Sequence, residues 1–192
     1  MFFSLVLLSD AGKALHLDTT PAVIEFFKSF DINSYFTILI FLAIGSLITC
    51  IVQSSAAVMA ITILLCSTGV LPIYLGIALV MGENIGTTIT ANLAALAANT
   101  QARRAALAHL MFNVIGVVWV LAIFYPFVNM VCGFVDYNPA IGAVNANIKV
   151  KLPVVLAAFH TTFNVANTFL LIWFIPQLEK LVCMIIKPRK SE

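Results

Sequence analysis

Between Asp31 and Glu83 the chain carries no Asp, Glu, Lys or Arg, and comparable gaps run from Arg104 to Asp136 and from Lys151 to Glu179. A helix that crosses a bilayer needs about 20 consecutive, mostly apolar residues. The first gap is long enough for two such passes, and each later gap holds one. Soluble domains spread charge over their whole surface and carry about 25% charged residues. Here 9% are charged and 62% hydrophobic, so there is too little polar surface to cover the chain in water. Strand-like alternation is absent, which excludes a lipid-facing barrel. The expected fold class is an all-α integral membrane protein of transmembrane helices plus a re-entrant or broken-helix hairpin. The net charge of +2 comes with no basic stripe or interleaved aromatics, so no nucleic-acid partner is expected. Cys50, Cys66, Cys132 and Cys183 lack metal-type spacing and read as small apolar packing residues.

Four stretches follow from the pattern. Residues 1–33 read as the end of a preceding helix and an interfacial segment. Met1 to Leu8 is apolar but short, without the basic start and small-residue cleavage site of a signal peptide. It reads as the tail of a helix truncated where the chain begins. Thr20-Pro21 marks a helix start, and Ala22 to Phe30 a short amphipathic helix at the membrane interface. Residues 34–102 form the core. Phe36 to Val52 ends at Gln53-Ser54-Ser55, Ala56 to Val70 is broken by Gly69 and Pro72, Ile73 to Met81 ends at Gly82 to Thr88, and Ile89 runs to about Ala98. The last two runs are too short to span alone, so a break is predicted at Gly82–Thr88 as well as at Gln53–Ser55. Non-helical backbone at membrane depth persists only where protein or a water-filled cavity satisfies it, and in transporters such breaks build the binding site.

Residues 103–180 hold two plain spans, Ala105 to Tyr125 closed by Pro126 and Pro153 to Ile175 closed by Pro176, with a loop over 127–152. Residues 181–192 form a basic tail. Arg103-Arg104 precede the first of these spans, and Lys187, Arg189 and Lys190 follow the second. Two crossings return the chain to one side, so both clusters are expected in the cytoplasm of a multi-pass plasma-membrane protein, with Lys149 and Lys151 as the opposing signal.

Three polar constellations stand in this apolar chain. Gln53-Ser54-Ser55 offers a carbonyl oxygen, two hydroxyls and freed backbone groups. Oxygens suit sodium, while hydroxyls and N–H groups at a helix start donate to an oxyanion; hydrogen bonding between packed helices is the plainer alternative. In Gly82-Glu83-Asn84-Ile85-Gly86-Thr87-Thr88-Ile89-Thr90 the glycines permit an unwound turn, and Thr87 and Thr90 at i and i+3 share a face. Glu83 is either an intramembrane acid with a function or partner, or an edge residue in water. The pattern H-x-x-F-N-V occurs twice, at His109–Val114 and His160–Val165, with Asn167 and Thr168 extending the second stripe. Packing contacts between two spans, or a proton relay, are the readings of His109/Asn113 and His160/Asn164. No enzyme is expected: neither G-x-S-x-G nor H-E-x-x-H occurs.

Gln53-Ser54-Ser55-Ala56-Ala57, Gly82-x-Asn84-Ile85-Gly86-Thr87-Thr88, Arg103-Arg104-Ala105-Ala106-Leu107-Ala108-His109-x-x-Phe112-Asn113 and His160-x-x-Phe163-Asn164, in this order, resemble the sodium-dependent phosphate cotransporter family over roughly residues 35–180. The resemblance implies one half of an inverted-repeat transporter, here the second repeat. Its partner would be the missing first repeat or a second copy of the chain. It implies symport of inorganic phosphate with sodium, inward across the plasma membrane, with no cofactor besides the co-transported ion. Gln53, Ser54, Ser55, Thr87 and Thr90 would contribute to a sodium site, and Ser54, Ser55 and Asn84 to substrate binding. Two departures stand out: Ala56 replaces the family's third serine, and Glu83 stands where many relatives have a small residue. Remaining alternatives are a non-transporting membrane assembly subunit, another anion, or proton coupling through His109 and His160.

Overall fold

The computed structural model describes residues 25–27, 29–139 and 146–188, with the side chains of 146–149 left aside. The segment Met1 to Leu8 lies outside the described residues, as do residues 22–24 and 28 of the expected interfacial helix; residues 25–27 of it are helical.

The chain enters its first span through a turn in which Asn33 N–H donates to Asp31 Oδ1 at 3.0 Å. Helix α1 then runs Tyr35–Val52 and stops at Gln53, which adopts the left-handed conformation (φ 56°) and donates its N–H to Thr49 O. Helix α2 starts at once: Ser54 is extended, its Oγ accepts the N–H of Ala57, and Ser55–Ser67 follows. The expected break at 53–55 is therefore present. Gly69, at φ 78°, turns the chain, and Pro72 leads into α3, Ile73–Ala95. Asn99 caps α4, Thr100–Ala122, through Ala102 N–H. After a kink at Ile123 comes α5, Phe124–Phe134. Helix α6 is Ala146–Leu171, followed by a 3-10 turn, Ile172–Phe174, and α7, Ile175–Ile185. Among the described residues, four helical stretches are long and apolar enough to cross a membrane: α1, α3, α4 and the length from Val150 to Ile185. The protein is an all-α, multi-pass membrane protein.

Helix α3 is the centre. It packs against α1, α2, α4 and α6, and Leu75 through Glu83 are buried without interruption. Helix α1 lies along it in parallel. A Cβ on Gly45 would fall on the Leu79 carbonyl, one on Gly82 on the Leu42 carbonyl, and one on Gly86 within 2.5 Å of Ser46 O. Backbone meets backbone along this line, and Ser46 Oγ donates to Gly82 O at 3.0 Å. Helix α2 returns antiparallel beside them, with Thr62 against Glu83 and Cys66 against Gly76. Asn92 Nδ2 ties α3 to α4 by donating to Ala106 O at 2.8 Å. Fully buried Asn167 ties α6 to α4, donating to Phe112 O and accepting from Trp119 Nε1. At one end, rings of Tyr35, Tyr74, Phe124 and Tyr125 meet edge to face.

Several expectations are corrected. Gly82–Thr88 is no break; it lies inside the continuous helix α3. Its glycines serve close approach to α1, and Gly82-x-x-x-Gly86 is the small-residue spacing by which membrane helices pack without a hydrophobic driving force. The 127–152 loop is largely helical, because α5 fills 124–134 and α6 begins at 146. Pro153 lies inside α6 rather than at its start; it is two turns from the helix's beginning, so the ring disturbs only the carbonyl one turn earlier. Pro176 does not close a span but sits in the first turn of α7, where its missing N–H is not needed. Helix α7 then carries through 181–185 of the expected tail. Between α5 and α6, Lys151 Nζ pairs with Asp136 at 2.9 Å, and its hydrogen bond and charge hold that carboxyl below the usual carboxylate range.

Candidate substrate and ion site

The break between α1 and α2 frees backbone groups that helices would otherwise consume. Gln53 N–H and Ala57 N–H are satisfied locally. The first turn of α2 otherwise presents N–H groups with no intrahelical partner, at the positive end of the helix dipole. Gln53 and Ser55 are exposed and Ser54 is half-buried. Ser54 Oγ spends a lone pair on its capping bond of 3.3 Å and keeps its proton for another acceptor.

Two helix registers run from the packed core of α3 towards this break. Along α1, Gly45 meets Leu79, Ser46 meets Gly82 and Cys50 Sγ donates to Gly86 O at 3.5 Å. One further turn sets Gln53 level with Thr90. Along α2 the order runs backwards, with Cys66 at Gly76 and Thr62 at Glu83. Thr87 is exposed and Thr90 half-buried. Their hydroxyls donate to Glu83 O and Thr87 O, both at 2.8 Å. The donors are used, but lone pairs remain on both oxygens, as a cation requires. Among the described residues no hydrogen bond joins the break to Asn84, Thr87 or Thr90 directly.

Asn84, one turn before Thr87, points elsewhere. Its Oδ1 lies 3.2 Å from His160 Nε2 on α6, while its Nδ2 is buried without a partner. An orphaned buried donor is uncommon and calls for an acceptor. The residues 82, 83 and 84 thus address three neighbours in succession: Gly82 touches α1, Glu83 reaches Thr62 on α2 at 3.2 Å, and Asn84 reaches α6. Glu83 is only 2% exposed, so it is an interior acid and not an edge residue.

The two H-x-x-F-N-V copies diverge. In both, the Asn side chain donates to the backbone carbonyl of its own His, Asn113 to His109 and Asn164 to His160. His160 then meets α3, whereas His109 lines a cavity of about 680 Å³ between α4 and α7 with Arg104, Phe112 and Glu179. Sequence reasoning missed Ser46, the contact of Cys50 with Gly86, Thr62 and Asn92, while Asn167 already stood in the second polar stripe. Small and polar residues at helical spacing facing a glycine pair were the available signal for the first two; the others carry none.

The family model described as Na+/Pi-cotransporter matches residues 3–134 of the 192. The match takes in the break, the polar face of α3 and the first H-x-x-F-N-V, and it stops before the second. The chain is 38% identical over 95 residues to "Uncharacterized protein YqeW" of Bacillus subtilis, covering 50% of this chain and 30% of that protein. It is 36% identical over 87 residues to "Putative inorganic phosphate export protein YjbB" of Salmonella typhimurium, covering 45% and 16%. The Escherichia coli K12 protein of the same name is 28% identical over 146 residues, covering 75% and 24%. The chain spans less than a third of the length of these relatives. No solved structure matches it. The family match across more than half of the chain, on a helical membrane fold that carries the break and the glycine-packed α3, places this protein in the Na+/Pi-cotransporter family.

Proposed function

We propose that this chain supplies one half of a membrane carrier that moves inorganic phosphate together with sodium. The observation that carries the reading is the helix break at Gln53–Ser54, towards which the α1–α3 contacts Ser46–Gly82 and Cys50–Gly86 run, in a member of this family. Ser54 and Ser55, with the free N–H groups of the first turn of α2, bind the phosphate oxygens. Asn84 Nδ2, buried and unpaired, is a further donor. Gln53, Ser54 and Ser55 with Thr87 and Thr90 supply oxygens to sodium. A cation beside the anion lowers the cost of holding phosphate away from water, and each ion raises affinity for the other by the same factor. Each net charge moved across the membrane is worth about 2.3 kcal/mol per 100 mV. The other half of the site comes from a first repeat or a second copy of the chain.

The carrier sits in the cell membrane. Arg104 Nε donates to Ile186 O at 3.1 Å, which supports one common side for Arg103-Arg104 and the basic tail. We assign that side to the cytoplasm and the direction of flux to uptake. Export is the second reading, favoured by the names of the Salmonella and Escherichia coli relatives; counterflow of labelled phosphate under opposed sodium gradients separates the two. For the site itself, Ser55→Ala combined with Thr87→Ala in the complete transporter is expected to cut sodium-coupled phosphate flux at least about tenfold, as loss of charged hydrogen bonds worth ~1.5–3 kcal/mol each would do. Unchanged flux with unchanged sodium dependence would refute the placement.

A further inference from the structure

Only one end of the Asn84 side chain is in use. Its Oδ1 lies 3.2 Å from His160 Nε2 on α6, and its Nδ2 is buried with no partner. The backbone around it is satisfied inside α3, where Thr88 Oγ1 adds a bond to Asn84 O at 3.3 Å. Among the described residues, His160 is the one side chain that bonds this amide. Asn164, one turn after His160, spends its donor on the His160 carbonyl and not on the ring.

An amide has two ends of opposite character, and its partner decides which end is left over. With a proton on Nε2, the imidazole donates to Oδ1, and Nδ2 is the end turned away. With Nε2 bare, the amide would rotate by half a turn, donate Nδ2 to the ring and turn Oδ1 away. The two arrangements have the same shape and opposite uses. A free N–H suits a phosphate oxygen, whereas a free carbonyl oxygen repels one. For the protein alone the second arrangement costs less, because a buried donor without a partner is rarer than a carbonyl oxygen without one. The structure has the first, in which Nδ2 awaits an acceptor from outside the chain.

We propose that His160 is a positioning residue for the anion: its Nε2–H holds the Asn84 amide so that Nδ2 is the end offered to phosphate. The inference rests on the reading of Asn84 as a phosphate donor. His160 itself touches no phosphate and acts through Asn84, across the contact between α3 and α6. It gives α6, which carries none of the other proposed ligands, a share in recognising the anion. A side chain of similar bulk without a donor leaves the amide free to turn, so His160 and Asn84 work as one unit.

The test is a double-mutant cycle in the complete transporter in proteoliposomes, read as the phosphate concentration that gives half-maximal flux. Asn84→Ala is expected to raise it about tenfold or more, the loss of one hydrogen bond to a charged ligand. His160→Met is expected to raise it about three- to tenfold, with maximal flux within about twofold of wild type. The two combined should raise it no further than Asn84→Ala alone, because partners in one network do not add. His160→Gln, whose amide N–H groups can donate to Oδ1, should restore the wild-type value. Effects that multiply, a His160→Met carrier of unchanged affinity, or a fall in maximal flux alone overturns the proposal. So does unchanged affinity in Asn84→Ala; loss of flux in Ser54→Ala/Ser55→Ala would then leave the reading of the break standing. If those serine replacements leave flux intact while the cycle holds, the break is misplaced and the role of His160 stands. If His160→Met does not fold, solid-state nitrogen-15 NMR of histidine-labelled transporter with phosphate bound decides, the His160 signal being the one lost in His160→Gln. A protonated Nε2 supports the proposal, and a bare Nε2 overturns it.

Discussion

Gly82→Ala is expected to destabilise the protein by about 3 kcal/mol or more, the upper end of overpacking costs, although alanine is the better helix former by ~1 kcal/mol. The sign of this change separates two accounts of the glycine. If Gly82 only loosened a turn, alanine would be harmless in what is now seen to be a helix. In the structure its Cβ would fall on the Leu42 carbonyl and within 2.7 Å of Ser46 N. Neither is the end of a flexible side chain. Helix α1 must move bodily, which also breaks Ser46 Oγ to Gly82 O and Cys50 Sγ to Gly86 O. Cys66 and Cys132 are buried, so their reaction with a fluorogenic thiol reagent on heating reports unfolding. A fall in Tm of roughly 6–12 °C follows from the size of the chain. Gly133→Ala is the control: it is in α5, and nothing lies within 4 Å of its Cβ. It should leave Tm unchanged or slightly raised. Equal behaviour of the two variants would remove close helix packing as the reason for Gly82.

Gln53→Gly is expected to do the opposite: preserve the fold and remove transport. Gln53 holds φ 56°, ψ 24°, a conformation that costs an L residue about 1–2 kcal/mol and glycine nothing. Its N–H bond to Thr49 O is backbone and survives. Stability should therefore hold or rise by up to ~1 kcal/mol, allowing for the greater freedom of glycine in the unfolded chain. The side-chain oxygen is lost, and with it a ligand of a charged species. Phosphate flux in the complete transporter should drop about ten- to hundredfold, the counterpart of ~1.5–3 kcal/mol. Gln53→Val should lose both stability and flux, because a β-branched residue tolerates this backbone poorly. Normal flux in Gln53→Gly would mean that the break needs only its bend, and that the sodium ligands lie elsewhere.

Much of the fold was legible in the chain because the bilayer enforces it. Charge-free stretches mark spans, and the run from Phe36 to Val52 is α1 almost to the residue. The Gln53–Ser55 break was legible for the same reason: three polar residues interrupt an apolar run, and Ser54 is a good N-cap. Gly82–Thr88 shows the same surface pattern and has the opposite outcome. Polar residues in a membrane helix either leave it or find partners on neighbours, and only the neighbours decide which. Ser46, Thr62 and His160 bond Gly82 O, Glu83 Oε1 and Asn84 Oδ1, so α3 stays whole. The prolines misled in a related way. Pro153 and Pro176 each mark a position near a helix start, but the sequence does not say whether the helix begins at the proline or up to two turns before it. Of the proposed site, the residue types were readable and the helix register behind it was not. That register has α1 running parallel to α3 with α2 folded back beside them, and it is set by Gly45, Gly82 and Gly86.

The central claim is that phosphate moves with sodium through the break at Gln53–Ser55. Radiolabelled phosphate flux in proteoliposomes holding the native transporter that contains this chain tests it most directly, with a sodium gradient against a potassium gradient of the same size. The account predicts flux that requires sodium, saturates with phosphate and disappears in Ser54→Ala/Ser55→Ala. Phosphate flux that is equal in potassium, or that is unaffected by the two serine replacements, would contradict it.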